Sequence, residues 1–522
     1  MPTLNWIGKE AVVNHDKEVP FRLLKKVKSA SVGENSQNLI IHGDNLEALK
    51  ALMPYYAGKI KCIYIDPPYN TGNEGWVYND KVNSPKIKKW LGKVVGPESE
   101  DLSRHDKWLC MMYPRLKLLR DLLSDDGVIF ISIDDNEQAN LRIVLDEIFR
   151  EENFVTNLIW QKKYSPQNDA KYFSDMHDFI LVYAKNKNNG NHNDGWVRNL
   201  ISRTEEQNAR YKNPDSDPRG PWKSSDLSVK TYSKAYDYPI TTPSGRIVKP
   251  PQGRCWRTSK ENLEQMIKEK RIWFGPKGGG VPAVKRFLSE VQKGIVPVTI
   301  WLREEVGDNQ EARQELKELF KDVEFPFETP KPVRLIKRII QISSNKQDLV
   351  LDSFAGSGTT GQAILDLNKE DGGNRKFIMV ELEDKVARDI TAERIKRSIK
   401  KYDYKDGFEF CELDKPLFDQ DGQIEQECTF EQLATYIYFT ETNTNVDRKV
   451  ISGNFIGDHD ETEYHLIFKE KGKNILSKDF LKKLQKDGKR KVIYADKCLI
   501  DERTLNRHRI QFKQIPYEVK VY

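Results

Sequence analysis

The chain has 522 residues, of which 31% are charged, and its mean hydropathy is −0.69. This length predicts roughly two to four domains, and the absence of any apolar run of about 18 residues excludes a membrane-spanning helix. The formal net charge is +6 and is unevenly distributed along the chain.

In chain order, strands alternate with helices at first, which predicts a mostly parallel sheet. Runs rich in β-branched residues indicate the strands, and apolar residues at helical spacing indicate the helices. Asp44 or Asn45 is the predicted cap of the first helix. The predicted elements are strand 38–44, the helix that follows it, strand 60–65, helix 108–123, strand 127–134, helix 137–149 and strands 154–160 and 179–185.

The alternation stops after residue 190 and returns near residue 326. The segment between is rich in Pro, Gly, Trp and Lys and predicts an inserted domain. A further β-α-β unit is predicted near the C-terminus from "EYHLIF", "KDFLKKLQ" and "KRKVIYAD". The predicted organisation is an N-terminal arm 1–29, an α/β domain in two pieces 30–190 and 326–405, the inserted domain 191–325 and a C-terminal domain 406–522.

The cysteines, the histidines and the N-terminal residues bear on metal binding, on disulfide formation and on the cellular compartment. The six cysteines form no CxxC pair, so neither a zinc site nor a disulfide framework is indicated. His42, His105 and His177 lack paired ligand spacing, and no metal is expected. Residues 1–18 contain no apolar segment typical of a signal peptide, and we expect a cytoplasmic protein.

Two stretches suggest contact with nucleic acid. From Lys469 to Lys491 there are ten Lys/Arg against three Asp/Glu, a pattern typical of a solvated helical face or of a phosphate-binding surface. Aromatic and basic residues also alternate in the inserted domain, which suits DNA contact, although the pattern favours a structural role for any single one of them. They are Trp222, Arg254, Trp256, Trp273, Lys277 and Lys285.

The segment "LVLDSFAGSGTTGQ" carries a glycine loop between a predicted strand and a predicted helix. Gly356, Gly358 and Gly361 match G-x-G-x-x-G, and Glu381 ends the next strand twenty residues past Gly361. The glycines let the backbone approach an adenosine ligand, and the acid binds ribose hydroxyls. The loop alone does not distinguish NAD from S-adenosylmethionine. Asp352, just before the loop, either bonds the cofactor or caps the loop.

The segment "YIDPPYNTG" places a carboxylate, two prolines and an aromatic ring at the end of a buried strand. An exocyclic amine of a nucleobase is a poor nucleophile, and two acceptors aimed at its N–H bonds draw the nitrogen toward sp3. Asp66 supplies a carboxylate for this purpose, and Pro67 supplies a carbonyl held by a fixed φ. Pro68 completes the rigid turn, and Tyr69 is suited to stack on a base turned out of the duplex.

"DPPYNTG" together with "FAGSGTT" resembles the DNA amino-methyltransferases that use S-adenosylmethionine. The catalytic motif precedes the cofactor loop, as in the circularly permuted β class of these enzymes. The resemblance implies a Rossmann-like methyltransferase fold with an inserted target-recognition domain, and an aspartate at position 66 favours adenine N6 over cytosine N4. "SIDDNE", "GRCWRTSKENL", "RIWFG" and "LSEVQKG" further resemble the modification subunit of type III restriction–modification systems, over most of residues 1–405.

The resemblance also implies which residues hold the cofactor. "GDNLEAL" nominates Asp44 for the cofactor adenine, and "TPKPVRLI" nominates Lys331 and Pro332 for its methionine end. The remaining cofactor residues implied in this way are Asp352, Phe354, Ala355, Gly356, Gly358, Thr359 and Glu381.

The function implied is methyl transfer to N6 of a flipped adenine in double-stranded DNA. Implied partners are a second copy of the chain and a separate restriction subunit, because the sequence has neither a Walker lysine nor a convincing nuclease cluster. Three alternatives stay open: an orphan or type II methyltransferase, an NAD-binding oxidoreductase, and a non-catalytic DNA-binding subunit.

Overall fold

The computed structural model describes residues 3–33, 36–71, 89, 92–93, 103–188, 195–324, 326–418, 424–425, 427–469, 473–484 and 488–515. The chain forms two compact units. The larger comprises residues 1–199 and 298–522, and the smaller comprises residues 200–297. No helix in the described ranges has the length and hydropathy needed to cross a bilayer.

The strands are numbered here along the chain. They are β1 Arg22–Lys26, β2 Leu39–His42, β3 Ile60–Ile65, β4 Leu123–Ile133, β5 Phe154–Gln161, β6 His177–Ala184, β7 Trp222–Asp226, β8 Ser228–Val229, β9 Ile240–Thr241, β10 Ile247–Val248, β11 Cys255–Trp256, β12 Ile272–Trp273, β13 Ala283–Phe287, β14 Ile300–Trp301, β15 Leu349–Asp352, β16 Lys376–Glu381, β17 Glu409–Pro416, β18 Phe455–His459, β19 Thr462–Leu466, β20 Ile475–Leu476, β21 Arg490–Ala495, β22 Lys497–Cys498 and β23 Ile510–Gln514.

The α-helices connect these strands. They are Lys9–Val12, His15–Glu18, Asn45–Tyr56, Arg104–Leu122, Gln138–Phe149, Glu205–Ala209, Lys260–Lys268, Arg303–Val306, Asn309–Leu319, Val333–Ser343, Thr359–Asp371, Asp384–Val386, Glu393–Tyr402, Phe430–Thr442, Lys478–Lys483 and Glu502–Arg507.

The larger unit is built on a ten-stranded sheet in the order β1-β17-β2-β16-β15-β3-β4-β6-β5-β14. From β17 to β4 every neighbouring pair is parallel, whereas β6 runs antiparallel to both β4 and β5. The mostly parallel sheet expected from the alternating pattern is confirmed. The carboxyl ends of β2, β3, β15 and β16 therefore share one edge, where open α/β sheets bind ligands.

Helices cover both faces of this sheet. Ile378 and Val380 of β16 share a buried cluster with Leu49 of the helix Asn45–Tyr56. Met379 lies between them in sequence and faces the other side, where it approaches Gly361 of the helix Thr359–Asp371. Because neighbouring residues of a strand point to opposite faces, this alternation makes β16 a fully buried strand.

The ends of the chain extend the larger unit. The helices Lys9–Val12 and His15–Glu18 of the predicted arm contact the helix Arg104–Leu122. β17 continues the main sheet beyond residue 405 by pairing with β2. The predicted C-terminal β-α-β unit is confirmed, because β19 and β21 pair in parallel on either side of the helix Lys478–Lys483 in chain order.

The smaller unit is narrower than the predicted insertion 191–325. Residues after 297 belong to the larger unit because β14 pairs with β5 and the helix Asn309–Leu319 contacts the helix Glu393–Tyr402. Residues 200–297 form short antiparallel sheets, among them β12-β13-β7, around their own apolar cluster.

Candidate functional site

Asp66 is the first residue after β3, at the ligand-binding edge of the parallel sheet. Its Oδ2 accepts a hydrogen bond from the Lys331 ammonium. Its Oδ1 is buried and accepts no hydrogen bond within the described ranges. A buried acceptor without a partner is costly, so this oxygen is suited to bind a donor from a ligand.

The turn after Asp66 is held by residues of two other segments. Trp108 Nε1 donates to the Pro68 carbonyl over 2.7 Å. Asn70 has a φ of +57°, a backbone conformation that asparagine tolerates, and its amide donates to the fully buried Glu137 carboxylate. His105 also bonds Glu137, at 2.7 Å. The described residues donate no hydrogen bond to the carbonyl of the buried Pro67.

Tyr69 lies in the turn that follows β3 and is 8% exposed. Its hydroxyl donates to Asp178 Oδ2 over 3.4 Å, and the Lys331 ammonium lies 5.2 Å from the centre of its ring. Burial, followed by the nearby Asp178 charge, raises the pKa of Tyr69 well above its ordinary value. The side chain therefore carries a neutral hydroxyl on a largely buried ring.

The glycine loop between β15 and the helix Thr359–Asp371 depends on its glycines. Gly356 and Gly358 have φ values of +49° and +76°, and a Cβ on Gly358 would lie 3.1 Å from the Thr391 carbonyl oxygen. A Cβ on Gly361 would lie 2.7 Å from Met379 Cε, so this glycine lets the helix approach β16. Thr391, in the π-helical segment Ala387–Ala392, also donates to the Gly356 carbonyl over 2.6 Å.

Two buried carboxylates, Glu381 and Asp352, hold the glycine loop through hydrogen bonds to its backbone amides. Glu381 Oε2 accepts from the Gly356 amide (2.9 Å), and its Oε1 accepts from the Glu383 amide (3.0 Å). Asp352 accepts from the Phe354 amide (3.0 Å) and from the Thr360 hydroxyl (2.5 Å), so it caps the loop. Burial raises the pKa of Asp352 to about 7.

Thr359 connects the loop to the segment before the helix Val333–Ser343. Its hydroxyl donates to the Lys331 carbonyl (3.1 Å) and accepts from Arg394 Nη1 (2.7 Å). Arg394 is fully buried, and burial lowers its pKa to about 10. Pro332 is the N-cap residue of the helix Val333–Ser343. Lys331 thereby links the glycine loop, through its carbonyl, to Asp66, through its ammonium.

Asp44 caps the helix Asn45–Tyr56, as expected from the sequence. Its Oδ1 accepts from the Leu46 amide (2.8 Å), and both of its oxygens bond the buried Arg115, at 3.3 and 3.2 Å. Its neighbour Asn45 donates to the Ser353 carbonyl (3.1 Å). Asp44 therefore stands just behind the residues that face the cavity.

These segments enclose one cavity of about 890 Å³ that opens to solvent. Nine residues singled out from the sequence line it: Asp66, Pro68, Lys331, Asp352, Phe354, Ala355, Gly356, Thr359 and Glu381. Five others stand behind the lining: Asp44, Pro67, Tyr69, Pro332 and Gly358. Asn45, Tyr64, Met111, Arg115 and Phe327 are further lining residues that sequence reasoning missed.

Other residues that shape the site were also missed, namely Asn70, Trp108, Glu137, Lys162 and Asp178. They act across long sequence separations, as Asn70 and Glu137 do across 67 residues. Two of them lie in segments that were quoted for other reasons, Asn70 in "YIDPPYNTG" and Glu137 in "SIDDNE", and Asp178 directly precedes the predicted strand 179–185.

His42, Asp384 and Glu412 offer ligand atoms within 4.8 Å of one another. Arg388 pairs with both carboxylates, at 2.8 Å to Asp384 and in a shorter contact with Glu412. This ion pairing explains why the two acids lie close together, and the expectation of no metal stays a prediction.

In the smaller unit, several residues considered for DNA contact are buried. Trp222, Trp256 and Lys285 are 5%, 1% and 4% exposed. The Lys285 ammonium bonds Asp217 (3.0 Å) and also pairs with Asp215. These three residues stabilise the unit instead of facing a ligand, whereas Lys277 is exposed and Trp273 half-buried.

The basic segment from Lys469 to Lys491 is partly described, because residues 470–472 and 485–487 lie outside the described ranges. Lys491 is buried and pairs with Glu463 at 2.9 Å, and Lys482 pairs with Asp479 at 2.8 Å. Part of the positive charge is therefore offset within the fold.

Comparison with known proteins gives a consistent family. A family model described as DNA methylase, of the N6/N4 methyltransferases, matches residues 60–393. The chain is 38% identical to the type III restriction-modification enzyme StyLTI Mod subunit of Salmonella typhimurium, over 69% of this chain and 55% of that subunit. It is 32% identical to the EcoP15I Mod subunit of Escherichia coli, over 76% of this chain and 69% of that subunit. It is 34% identical to the EcoPI Mod subunit of Escherichia phage P1, over 76% of this chain and 68% of that subunit.

The matched part thus spans just over half the length of the Salmonella subunit. β3 lies beside β15 although nearly 300 residues separate them in sequence, which is the permuted strand order expected from the motifs. The predicted fold, a Rossmann-like methyltransferase sheet with a permuted motif order, is confirmed. The matched family model covers both the turn after β3 and the glycine loop, and the chain therefore belongs to the DNA methylase family.

Proposed function

We propose that this protein transfers a methyl group from S-adenosylmethionine to N6 of an adenine in double-stranded DNA, as the modification subunit of a type III restriction–modification system. The observation that carries the proposal is the position of Asp66. Its open Oδ1 lies in the same cavity as the glycine loop, so a nucleobase amine and an adenosine cofactor can meet there.

The cofactor assignment is supported by the polar groups of the cavity. Glu381 and Asp352 lie among loop amides and the half-buried Phe354 ring, which suits ribose hydroxyls and an adenine. The buried Arg394 places positive charge beside Thr359, and the Lys331 ammonium lies beside Asp66 in the lining of the same cavity, which favours a carboxylate such as that of methionine. When bound, S-adenosylmethionine supplies the electrophilic methyl group, and this chain's residues orient the amine.

In the proposed reaction Asp66 Oδ1 and the Pro67 carbonyl accept the two N–H bonds of the target amine. This contact concentrates electron density on the nitrogen before it attacks the methyl carbon in line. The target base must leave the duplex to reach the cavity, and Tyr69 supplies a ring edge against which it packs. An aspartate in this motif supports adenine N6 as the target.

DNA as the substrate is supported by the charge of the smaller unit. Residues 200–297 contain 19 Lys/Arg against 10 Asp/Glu, a surplus of nine, whereas the whole chain has a net charge of +6. Residues outside this unit therefore carry a net charge of −3. We propose that the smaller unit is the target-recognition domain, and that its charge attracts phosphate groups.

By similarity to Mod subunits, we propose a cytoplasmic homodimer that works beside a separate restriction subunit. The proposal is tested by incubating the purified chain with radiolabelled S-adenosylmethionine and unmethylated DNA, and then separating the nucleosides. Label in N6-methyladenine supports it. Label in N4-methylcytosine overturns the adenine assignment, and binding of NADH without binding of S-adenosylmethionine overturns the reaction class.

A further inference from the structure

We propose that Asp178, held in place by Lys162, is a positioning residue that fixes Tyr69 for methyl transfer. The inference rests on the proposed function and adds to it a buried charge pair outside the DPPY motif.

A continuous series of contacts leads from Lys162 through Asp178 to Tyr69 in the proposed catalytic turn. Lys162 follows β5 and Asp178 lies near the start of β6, the strand paired with β5. The Lys162 ammonium donates to Asp178 Oδ1 over 2.6 Å, and Asp178 Oδ2 accepts from the Tyr69 hydroxyl over 3.4 Å. The hydroxyl bond is long, and catalytic hydrogen bonds of ligand-free enzymes often shorten when the substrate binds.

Burial makes this arrangement unusual for a merely structural ion pair. The Asp178 side chain is 4% exposed and that of Lys162 is 11% exposed. Replacing such a pair with apolar residues is often neutral or stabilising, so its stability contribution alone is a weak reason to have it. A role in orienting a neighbouring group is the better physical explanation.

The surrounding charges show why Asp178 needs Lys162. Asp66 and Asp178 both lie near Tyr69. Burial raises the pKa of Asp178, and the negative charge of Asp66 adds to this effect. Lys331 and Lys162 offset these charges, with Lys331 paired to Asp66 and Lys162 paired to Asp178. Asp178 is thereby kept as an acceptor for the Tyr69 hydroxyl, and the tyrosine ring cannot rotate away from the cavity edge without breaking this bond.

Lys162 has a second carboxylate partner, which provides a matched control. Asp175 pairs with Lys162 at 2.6 Å, but its side chain is 51% exposed. In the described ranges no hydrogen bond joins it to Tyr69. Asp175→Asn changes the same lysine environment without touching the proposed route to the tyrosine.

The test is a double-mutant cycle on the full chain with Asp178→Asn, Tyr69→Phe and the combined variant. The single-turnover rate of methyl transfer and the Kd for S-adenosylmethionine are measured for each. We expect each single change to lower the rate about ten- to a hundredfold, because the ring loses its fixed orientation. The combined variant should be no more than about threefold slower than the slower single variant, since both changes break one contact.

If Asp178 acts by positioning Tyr69, the Kd for S-adenosylmethionine should stay within about threefold of the wild-type value in all variants, and Asp175→Asn should transfer methyl groups within about twofold of the wild-type rate. A purely structural role would instead lower the rate and the cofactor affinity together. A wild-type rate in Asp178→Asn, or losses that multiply in the combined variant, would overturn the inference. If Asp178→Asn fails to fold, a wild-type rate in Tyr69→Phe overturns it equally, because the hydroxyl is the proposed contact. A wild-type chain without methyl transfer would overturn the proposed function itself.

Discussion

The two carboxylate oxygens of Asp66 differ in their surroundings, because one accepts a hydrogen bond and the other does not within the described ranges. Oδ2 is bound by Lys331, while Oδ1 is buried without a hydrogen bond in the described ranges. The lysine fixes the orientation of the carboxylate, so the free oxygen points to one place before any substrate arrives. Such preorganisation is the main means by which polar groups lower a reaction barrier.

Asp66→Ala removes this acceptor and should lower methyl transfer by roughly a hundredfold or more, because preorganised groups at reacting centres contribute on that scale. The glycine loop is untouched, so cofactor binding should be largely retained. Transfer of labelled methyl groups and calorimetric titration with S-adenosylmethionine measure the two effects separately. Methylation at the wild-type rate would remove Asp66 from the mechanism.

Asp352 gives a prediction about pH. Its pKa is raised by burial from 3.8 to about 7, so the folded protein holds a proton that the unfolded chain has released. The stability of the wild-type chain relative to Asp352→Asn should therefore fall as pH rises from about 5 to about 7, by up to about 1.4 kcal/mol per pH unit, and level off above about 8.

Urea unfolding of the wild type and of Asp352→Asn in parallel, without ligand, measures this difference. The comparison cancels the titration of every other group that the two chains share. A difference in stability that stays constant from pH 5 to pH 8 would show that Asp352 does not titrate in this range.

At the scale of elements, the glycine loop is defined by backbone geometry. Gly358→Ala places a Cβ at a positive φ and against the Thr391 carbonyl, a strain of about 1–3 kcal/mol that the loop can relieve only by moving. We expect the affinity for S-adenosylmethionine to fall by roughly tenfold, measured by calorimetry.

Gly372→Ala is the matched control. Gly372 ends the same helix with a φ of +67°, and a Cβ there meets nothing within 4 Å. It should lower stability by backbone strain while leaving cofactor affinity unchanged. Equal losses of affinity in the two variants would mean that general destabilisation, and not the shape of the loop, is responsible.

The helices and strands were predictable from the sequence, whereas the hydrogen bonds between distant segments were not. The strand before "DPPY" and the helix after the glycine loop follow from local patterns of apolar residues and glycines. The contact of Asn70 with Glu137, and that of Tyr69 with Asp178, depend on how distant segments pack, which one sequence does not encode locally. For the same reason, Trp222 and Lys285 suggested a DNA surface but proved to be buried.

The sheet of the smaller unit gives a testable prediction about the proposed contact with DNA. Lys223 of β7 and Arg286 of β13 are exposed and directly opposite each other. Like charges at opposed positions destabilise a sheet, so an anion on this surface would relieve their repulsion. Lys223→Ala and Arg286→Ala should each weaken DNA binding and each reduce the slope of log K against log salt by about 0.9.

Fluorescence anisotropy with labelled duplex DNA at several salt concentrations measures these slopes. Lys405→Ala serves as the control, since Lys405 is an exposed lysine of the larger unit that pairs with Asp403 at 2.7 Å. Unchanged slopes in both variants of the smaller unit would place the phosphate contacts elsewhere.

At the scale of the whole molecule, the candidate site and the positive charge surplus lie in different units. The cavity belongs to the larger unit, while the smaller unit carries the positive surplus. This division fits a protein that recognises a polyanion with one unit and modifies it with another. The bounds of the smaller unit were needed to see the surplus, because the net charge of the whole chain conceals it.

Single-molecule sequencing of genomic DNA from cells expressing this chain tests the central claim most directly, with Asp66→Ala as the comparison. We predict N6-methyladenine at one short sequence, on one strand of an asymmetric site, and its loss in the variant. Methylation of both strands of a palindrome would contradict the type III assignment alone. Genomic DNA without any N6-methyladenine, from cells that contain the folded wild-type chain, would contradict the account.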